Sequence, residues 1–215
     1  MSGAAPPVQL VILCSPSGAG KTTLARRLLQ DPDLPGIHFS VSHTTRPARD
    51  GEVDGRDYHF VDEALFRSTL EADGFAEHAT VHGNLYGTSV EEIDRIRAIP
   101  GARAVIFDID VQGADQLVER YPRALRIFIL PPSLAVLEAR LRDRGTETDE
   151  DLALRLGNAV GEVERYDTFD HIIVNDDLDE AHDRLKSAIR GHGPGREAGV
   201  AVAEALLAQW KEARA

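Results

Sequence analysis

The feature that most constrains this chain is a short apolar run, Leu10-Val11-Ile12-Leu13-Cys14. It breaks into Ser15-Pro16-Ser17-Gly18-Ala19-Gly20 and resumes as Lys21-Thr22-Thr23, heading a helical pattern through Leu24, Leu28 and Leu29. Consecutive apolar residues bounded by turn residues predict a buried strand. Strand, glycine-rich turn and helix, in that order, make a cradle for phosphate. Gly18 and Gly20 let the backbone curl with its N–H groups inward, and the helix start adds its partial positive charge. In such a cradle Lys21 reaches the outer phosphates and the Thr22 hydroxyl meets Mg2+. Ser15 stands where the pattern G-x-x-x-x-G-K-[ST] has its first glycine. The loop predicts a nucleoside triphosphate and leaves the reaction open.

Composition narrows the partners. The chain has 215 residues, enough for one sizeable α/β core with inserted subdomains. Its 36 acidic and 24 basic residues give a net charge of −12, which disfavours nucleic acid and anionic membranes as partners. The single cysteine, Cys14, precludes an internal disulfide and predicts a cytoplasmic setting. At the end of an apolar strand it reads as a buried small hydrophobe rather than a nucleophile. No apolar run approaches 18 residues, so no membrane span is predicted. Residues 1–7 are small and lack a basic run, which predicts a disordered tail rather than a targeting signal.

Past the first helix, residues 37–42 read as a strand and 43–58 as a long polar segment without periodicity. Long irregular segments inside compact domains are usually functional. A helix follows, capped by Asp62, with Leu65, Phe66 and Leu70 as its inner face and Gly74 at its end. Residues 75–81 form a strand and 82–86 a tight hairpin; Thr88 or Ser89 caps the next helix, which Pro100-Gly101 stops. Strands at 102–107, 125–130 and 172–174 alternate with helices at 113–121, 133–144 and 149–166 and one ending near 191. That alternation predicts an α/β fold, a parallel sheet flanked by helices with ligands at the carboxyl ends of its strands. Ser15 to Thr22, Asp108 and Asn175 all fall at that edge. After the linker 191–195, Val200, Ala203, Leu206, Leu207 and Trp210 mark an amphipathic helix, expected to dock on the domain or on a second subunit.

Asp108, ending a buried strand, is placed to hold Mg2+ directly or through water. Arginines gather in two groups: Arg46 and Arg49 in the polar segment, and Arg140, Arg144 and Arg155 around 145–148. A guanidinium forks onto phosphate, so two groups beside a phosphate loop suggest two phosphate positions, one for an acceptor and one for a transferred group. No acid–base pair suited to activating a hydroxyl stands out, and the eight histidines are scattered. A phosphate acceptor needs no base, because its oxygens are already anionic; catalysis then rests on positioning and charge neutralisation.

Seven blocks, in order, resemble the guanylate kinase family, bacterial type, over about residues 8–190. They are Ser15-Pro16-Ser17-Gly18-Ala19-Gly20-Lys21-Thr22, Ser40-Val41-Ser42-His43-Thr44-Thr45-Arg46-Pro47, Gly51-Glu52-Val53-Asp54-Gly55-Arg56-Asp57-Tyr58, His82-Gly83-Asn84-Leu85-Tyr86-Gly87-Thr88, Asp108-Ile109-Asp110-Val111-Gln112-Gly113, Arg144-Gly145-Thr146-Glu147-Thr148 and Ile173-Val174-Asn175-Asp176-Asp177. The resemblance implies a P-loop NTPase-like core (8–36, 100–132 and 167–190), an α+β GMP-binding insertion (37–99) and a helical lid (133–166), with 191–215 outside it.

It further implies transfer of the ATP γ-phosphate to GMP, and to dGMP, with Mg2+. By resemblance Arg46, Arg49, Tyr58 and Tyr86 hold the GMP phosphate, and Ser42, Glu77, Thr88 and Asp108 surround the guanine. An ionised Glu77 can accept from both N1–H and N2–H2 of guanine, whereas adenine has no donor at N1. Lys21 with Arg140, Arg144 and Arg155 neutralises the transferring group, Ser15 to Thr23 holds ATP, and Asn175 lies near the adenine. Many members carry two tyrosines where this chain has Leu85-Tyr86, so the phosphate contact maps to Tyr86 and Leu85 to packing. The rival readings are a phosphopeptide-binding module on the same scaffold, against which Gly20-Lys21-Thr22 is intact, and a kinase of another small phosphate, against which the guanine-reading set is present. The sequence leaves monomer or homo-oligomer open.

Overall fold

The computed structural model describes residues 7–81, 83–143 and 149–213. Its strands are β1 (Gln9–Cys14), β2 (Ile37–Phe39), β3 (His43–Thr44), β4 (His59–Phe60), β5 (Phe75–Val81), β6 (Asn84–Ser89), β7 (Ala104–Asp108), β8 (Leu125–Leu130) and β9 (His171–Val174). Its helices are α1 (Lys21–Leu29), α2 (Glu63–Glu71), α3 (Val90–Arg97), α4 (Val111–Arg120), α5 (Leu134–Arg142), α6 (Asp149–Val163), α7 (Leu178–Ile189) and α8 (Glu197–Glu212). The starts are set by local chemistry: side chains of Asp62, Ser89, Asp110, Ser133 and Asp177 accept backbone N–H bonds at the heads of α2, α3, α4, α5 and α7. Each such cap is worth about 1 kcal/mol. None of the described helices is long and apolar enough to cross a membrane.

The chain forms two compact units. One holds Pro35–Ala124 with the start of β1, and the other Val11–Leu34 with Leu125 onward.

In the first unit β2 and β7 pair in parallel, and a second sheet runs in the order β4-β3-β6-β5. The predicted strand 37–42 is not one strand. β2 stops at Phe39; Ser40 N–H still donates to Ile106 O at 2.9 Å, but Val41 N–H is taken by the Glu92 carboxylate at 3.2 Å. By His43 the chain is pairing with β4 and β6, so one apolar run serves two sheets. In α2 Phe66 is buried and stacks on Phe75, with ring centroids 4.4 Å apart. Leu65 and Leu70, expected on the same inner face, are 54% and 37% exposed. The left-handed residue after that helix is Asp73, with φ 52°, and not Gly74. The outer edge of β5 is covered by Gln116 of α4, whose side-chain amide exchanges two hydrogen bonds with the His78 backbone at 2.8 and 3.1 Å. That satisfies groups an edge strand would otherwise expose.

In the second unit β1, β8 and β9 pair in parallel, with Leu13 opposite Ile127 and Ile129 opposite Ile173. These strands are apolar on both faces, as a sheet covered on both sides requires. Asp31, just beyond α1, accepts from His182 Nε2 at 2.7 Å and from Lys186 Nζ at 2.8 Å, tying α1 to α7. Lys186 and then His182 hold the Asp31 carboxyl well below the usual carboxylate range. The C-terminal helix docks on its own unit, against β9, α5 and α6. Ala203 and Leu206 are buried there, and Trp210 packs on a cluster of Leu137, Leu141, Leu152, Leu156 and Ala159.

Candidate active site

The second unit carries the phosphate loop. Gly18 and Gly20 both have φ 92°, a left-handed value that side chains resist, while Ser15 is not among the positive-φ residues. Serine is therefore tolerated where the common pattern has glycine. Gly20 is the N-cap of α1; no side chain caps that end and no acid lies in its first turn. The N-terminus of α1 is left to attract an anion. A Cβ on Gly18 would stand 3.2 Å from both Leu137 and Leu141, so the loop is pressed against α5.

Asn175, at the end of β9, is buried; its amide donates to Ala19 O at 2.7 Å, and a Cβ on Gly20 would collide with it. The structure thus spends this side chain on bracing the loop. Arg140 of α5 donates from Nη2 to Asn175 O at 3.1 Å. Its Nη1 is buried and has no hydrogen-bond partner among the described residues. A buried cationic N–H without an acceptor is costly unless an anion meets it. Arg155 lies on α6, half-buried, and Arg144 lies outside the described residues. Lys21 opens α1, with Thr22 and Thr23 beside it in the first turn. Backbone N–H of Ser17 donates to Glu162 Oε2 of α6 at 3.2 Å, a contact the sequence does not signal.

The first unit gathers both predicted acceptor groups. Arg46 donates from Nε to Tyr86 Oη at 3.2 Å, from Nη1 to Pro47 O at 2.8 Å and to Glu52 at 3.0 Å, and from Nη2 to Glu52 at 2.8 Å. Those contacts use four of the five guanidinium N–H groups. Its guanidinium carbon lies 5.4 Å from the centre of the Tyr58 ring, and the Tyr58 and Tyr86 rings meet edge to face. Glu52 also accepts from the Arg49 backbone at 2.8 Å. Pairing with Glu52 and then Tyr86 raises the Arg46 pKa, and the Arg46 fork and the Arg49 amide lower that of Glu52. Burial, then the Asp108 charge, raises that of Tyr58. Arg46 and the Arg49 amide therefore hold one carboxylate, and Tyr58 and Tyr86 pack around the Arg46 fork. Sequence reading missed Glu52, though it stands six residues beyond Arg46 in the same polar segment.

The second group is a chain of polar side chains. Ser42 Oγ and Thr88 Oγ1 lie 3.0 Å apart, and Thr88 hydrogen-bonds Glu77 through side chain and backbone. Glu77 and Thr88 are opposite each other in the β5–β6 pair, just past a register shift between Phe75 and Glu77. Such a bulge re-aims the side chains that follow it. Glu77 is only 4% exposed, and among the described residues no cation pairs with it. Burial, with a further push from Asp110, raises its pKa to about 7. Gly113, in the first turn of α4, gives the carboxylate room: a Cβ there would lie 2.6 Å from Glu77 Oε2. The acid acting on Glu77 is thus Asp110, whereas Asp108, at the end of β7, acts on Tyr58. Asp110 and Gly113 are the residues that sequence reading passed over here. Among the described residues no cluster of three His, Cys, Asp or Glu could hold a metal by itself.

Comparison with known proteins gives the family. The sequence profile of the family described as guanylate kinase matches residues 8–192. The chain is 47% identical over 203 residues to a guanylate kinase of Nitratidesulfovibrio vulgaris, covering 94% of this chain and 96% of that protein. It is 47% identical over 181 residues to that of Escherichia coli (strain K12), covering 84% and 86%. The crystal structure of guanylate kinase from Anaplasma phagocytophilum is similar at a TM-score of 0.68 and 32% identity, over 86% of this chain and 87% of that one. Kinship that close, over nearly the whole length, decides the question: the chain belongs to the guanylate kinase family.

Proposed function

We propose that this protein transfers the γ-phosphate of ATP to GMP, and to dGMP, returning guanine nucleotides to the diphosphate pool of the cytoplasm. The observation that carries the reading is Glu77: a buried carboxylate, held by Thr88 and paired with no cation among the described residues, suits the paired N1–H and N2–H2 donors of guanine. Ser42 and Thr88 complete that pocket, with Asp108 and Asp110 at its border. Arg46, Arg49, Tyr58 and Tyr86 take the GMP phosphate, in an insertion spanning 37–99. Ser15 to Thr23 takes the triphosphate, and Asn175 keeps the loop in shape beneath it.

A GMP phosphate oxygen attacks the γ-phosphorus in line, the bond to the β,γ-bridging oxygen breaks, and ADP departs with that electron pair. The nucleophile arrives deprotonated, so no protein base is needed. Lys21, Arg140, Arg144 and Arg155 neutralise the charge on the transferring group; the unpaired Nη1 of Arg140 is a donor suited to it. Residues 133–166 act as a lid that excludes water, so that ATP is not simply hydrolysed. Thr22 and Asp108 offer the hard oxygen donors Mg2+ prefers, and magnesium bound mainly through phosphates needs no dedicated cage of acids. When bound, Mg2+ supplies charge neutralisation on the phosphates.

The test is direct. Purified protein with ATP and Mg2+ should convert GMP and dGMP to diphosphates, with AMP, UMP and sugar phosphates far slower. Lys21→Ala should cut turnover by orders of magnitude while the melting temperature stays close to that of the parent. No product from GMP in well-folded material would end the proposal.

A further inference from the structure

We propose that Glu162 competes with ATP for the phosphate loop, its carboxylate taking a loop amide that an outer phosphate oxygen would otherwise use. The inference rests on the proposed function only in naming ATP as the loop's ligand. Its basis is one long-range contact: Ser17 N–H donates to Glu162 Oε2 at 3.2 Å, across 145 residues of sequence. Ser17 immediately precedes the left-handed Gly18, in the curl that turns N–H groups inward. The amide of Ala19, two residues on, is already spent on Pro16 O at 3.1 Å. Of these two loop amides, one is held by the loop itself and the other by Glu162.

A carboxylate oxygen and a phosphate oxygen are interchangeable acceptors for a backbone N–H, and the amide cannot serve both well. Nor can Glu162 remain beside a triphosphate without like-charge repulsion. Binding of ATP must move the Glu162 side chain or the helix that carries it. Arg155 stands seven residues earlier on α6, two turns along the same face. The face that offers Glu162 to the loop thus also carries a cation suited to phosphate. Exchange of Glu162 for ATP replaces a carboxylate-to-loop contact with an arginine-to-phosphate one and couples α6 to occupancy of the loop. A tethered competitor lowers apparent affinity by the fraction of molecules in which it is seated. It also sets a threshold that a triphosphate, with many contacts, crosses more readily than a lone phosphate ion.

The experiment is titration calorimetry of ATP into the full chain without GMP, for the parent and for Glu162→Asp, Glu162→Gln and Glu162→Ala. Steady-state KM values for ATP and GMP accompany it. The aspartate variant keeps the charge on a partly exposed helix face but is one methylene too short for the loop, so it guards against loss of fold. ATP should bind about three- to tenfold more tightly in all three, the range expected for losing a partly exposed, charge-assisted hydrogen bond. KM for ATP should fall with it while KM for GMP stays put, a split that general loosening would not produce. Unchanged or weaker ATP binding in folded variants overturns the proposal, as does failure of the parent to bind ATP. If the variants bind ATP more tightly but no form phosphorylates GMP, the competition stands and the assignment as a GMP kinase falls. If turnover is normal and ATP affinity is unaltered, the kinase assignment stands and the competition falls.

Discussion

Glu77→Gln separates the two properties the site has to balance. The carboxyl is pushed up from an ordinary 4.5 to about 7, chiefly by burial. An acid with a raised folded-state pKa binds its proton more tightly in the folded chain than in the unfolded one. Its favourable contribution is complete below pH 4.5 and is lost as pH rises through 7. At about 1.4 kcal/mol per pKa unit, ionising Glu77 inside the fold costs roughly 3 kcal/mol at pH 8. Glutamine has nearly the same shape and no charge to bury. It gives up about 1 kcal/mol of hydrogen bonding to Thr88. The variant should therefore be more stable than the parent by about 2 kcal/mol at pH 8, and no more stable at pH 5. Urea unfolding of both proteins from pH 5 to 8 reads this directly, since every other titrating group cancels in the difference. GMP adds a second arm. Binding through N1–H and N2–H2 requires the ionised carboxylate, so the melting temperature gained from GMP should grow from pH 6 to pH 8 in the parent. In the variant it should be small throughout, with weaker preference for GMP over AMP. A stability difference that does not change with pH would refute the argument that burial of this charge is what the site is built around.

Other consequences can be checked by simpler means. Glu52→Ala releases the Arg46 fork and should raise KM for GMP about three- to tenfold with little change in kcat, as loss of a partly exposed charged pair allows; a fall in KM would make Glu52 a competitor of the phosphate instead. Asn175→Ala removes the donor to Ala19 O and should cost about 1–3 kcal/mol in urea unfolding while raising KM for ATP and not for GMP. Leu206→Ala, at a position 1% exposed, should cost about 2–5 kcal/mol, and emission from Trp210, the sole tryptophan, should shift as α8 loosens.

How much of this could be read from the sequence depends on the range of the contact involved. The phosphate loop was legible because strand, glycines and helix are contiguous, and the starts of α2 and α3 were legible because a cap acts within three residues; α4 begins two residues before the expected 113 because Asp110 caps it. Arg46 was legible as one of two arginines in a polar segment, whereas Tyr58 and Tyr86 needed the family resemblance, for Arg46 and Tyr86, 40 residues apart, meet only through β3–β6 pairing. The misread stretches failed for equally physical reasons. Residues 37–42 have strand character throughout, and nothing local says that Glu92 will take the Val41 amide and hand the chain to a second sheet. Leu65 and Leu70 fit a helical stripe, yet α2 buries only Phe66.

The acids at 108 and 110 show the limit most clearly. Asp108 ends β7 and Asp110 caps α4 two residues on, and sequence reading assigned a guanine contact to the first alone. A strand's alternation ends with the strand, so the direction of the next side chain is fixed by the turn into α4. There Asp110 accepts the Gly113 N–H at 2.8 Å as the helix cap, and Gly113 is the residue whose missing side chain makes room for Glu77. One local cap therefore brings a second carboxylate and a gap to the buried Glu77. Gly113→Ala should therefore disturb guanine selection more than phosphate binding: KM for GMP should rise severalfold, and preference over AMP should drop. Equal losses for GMP and for ATP would mean that the gap serves packing alone.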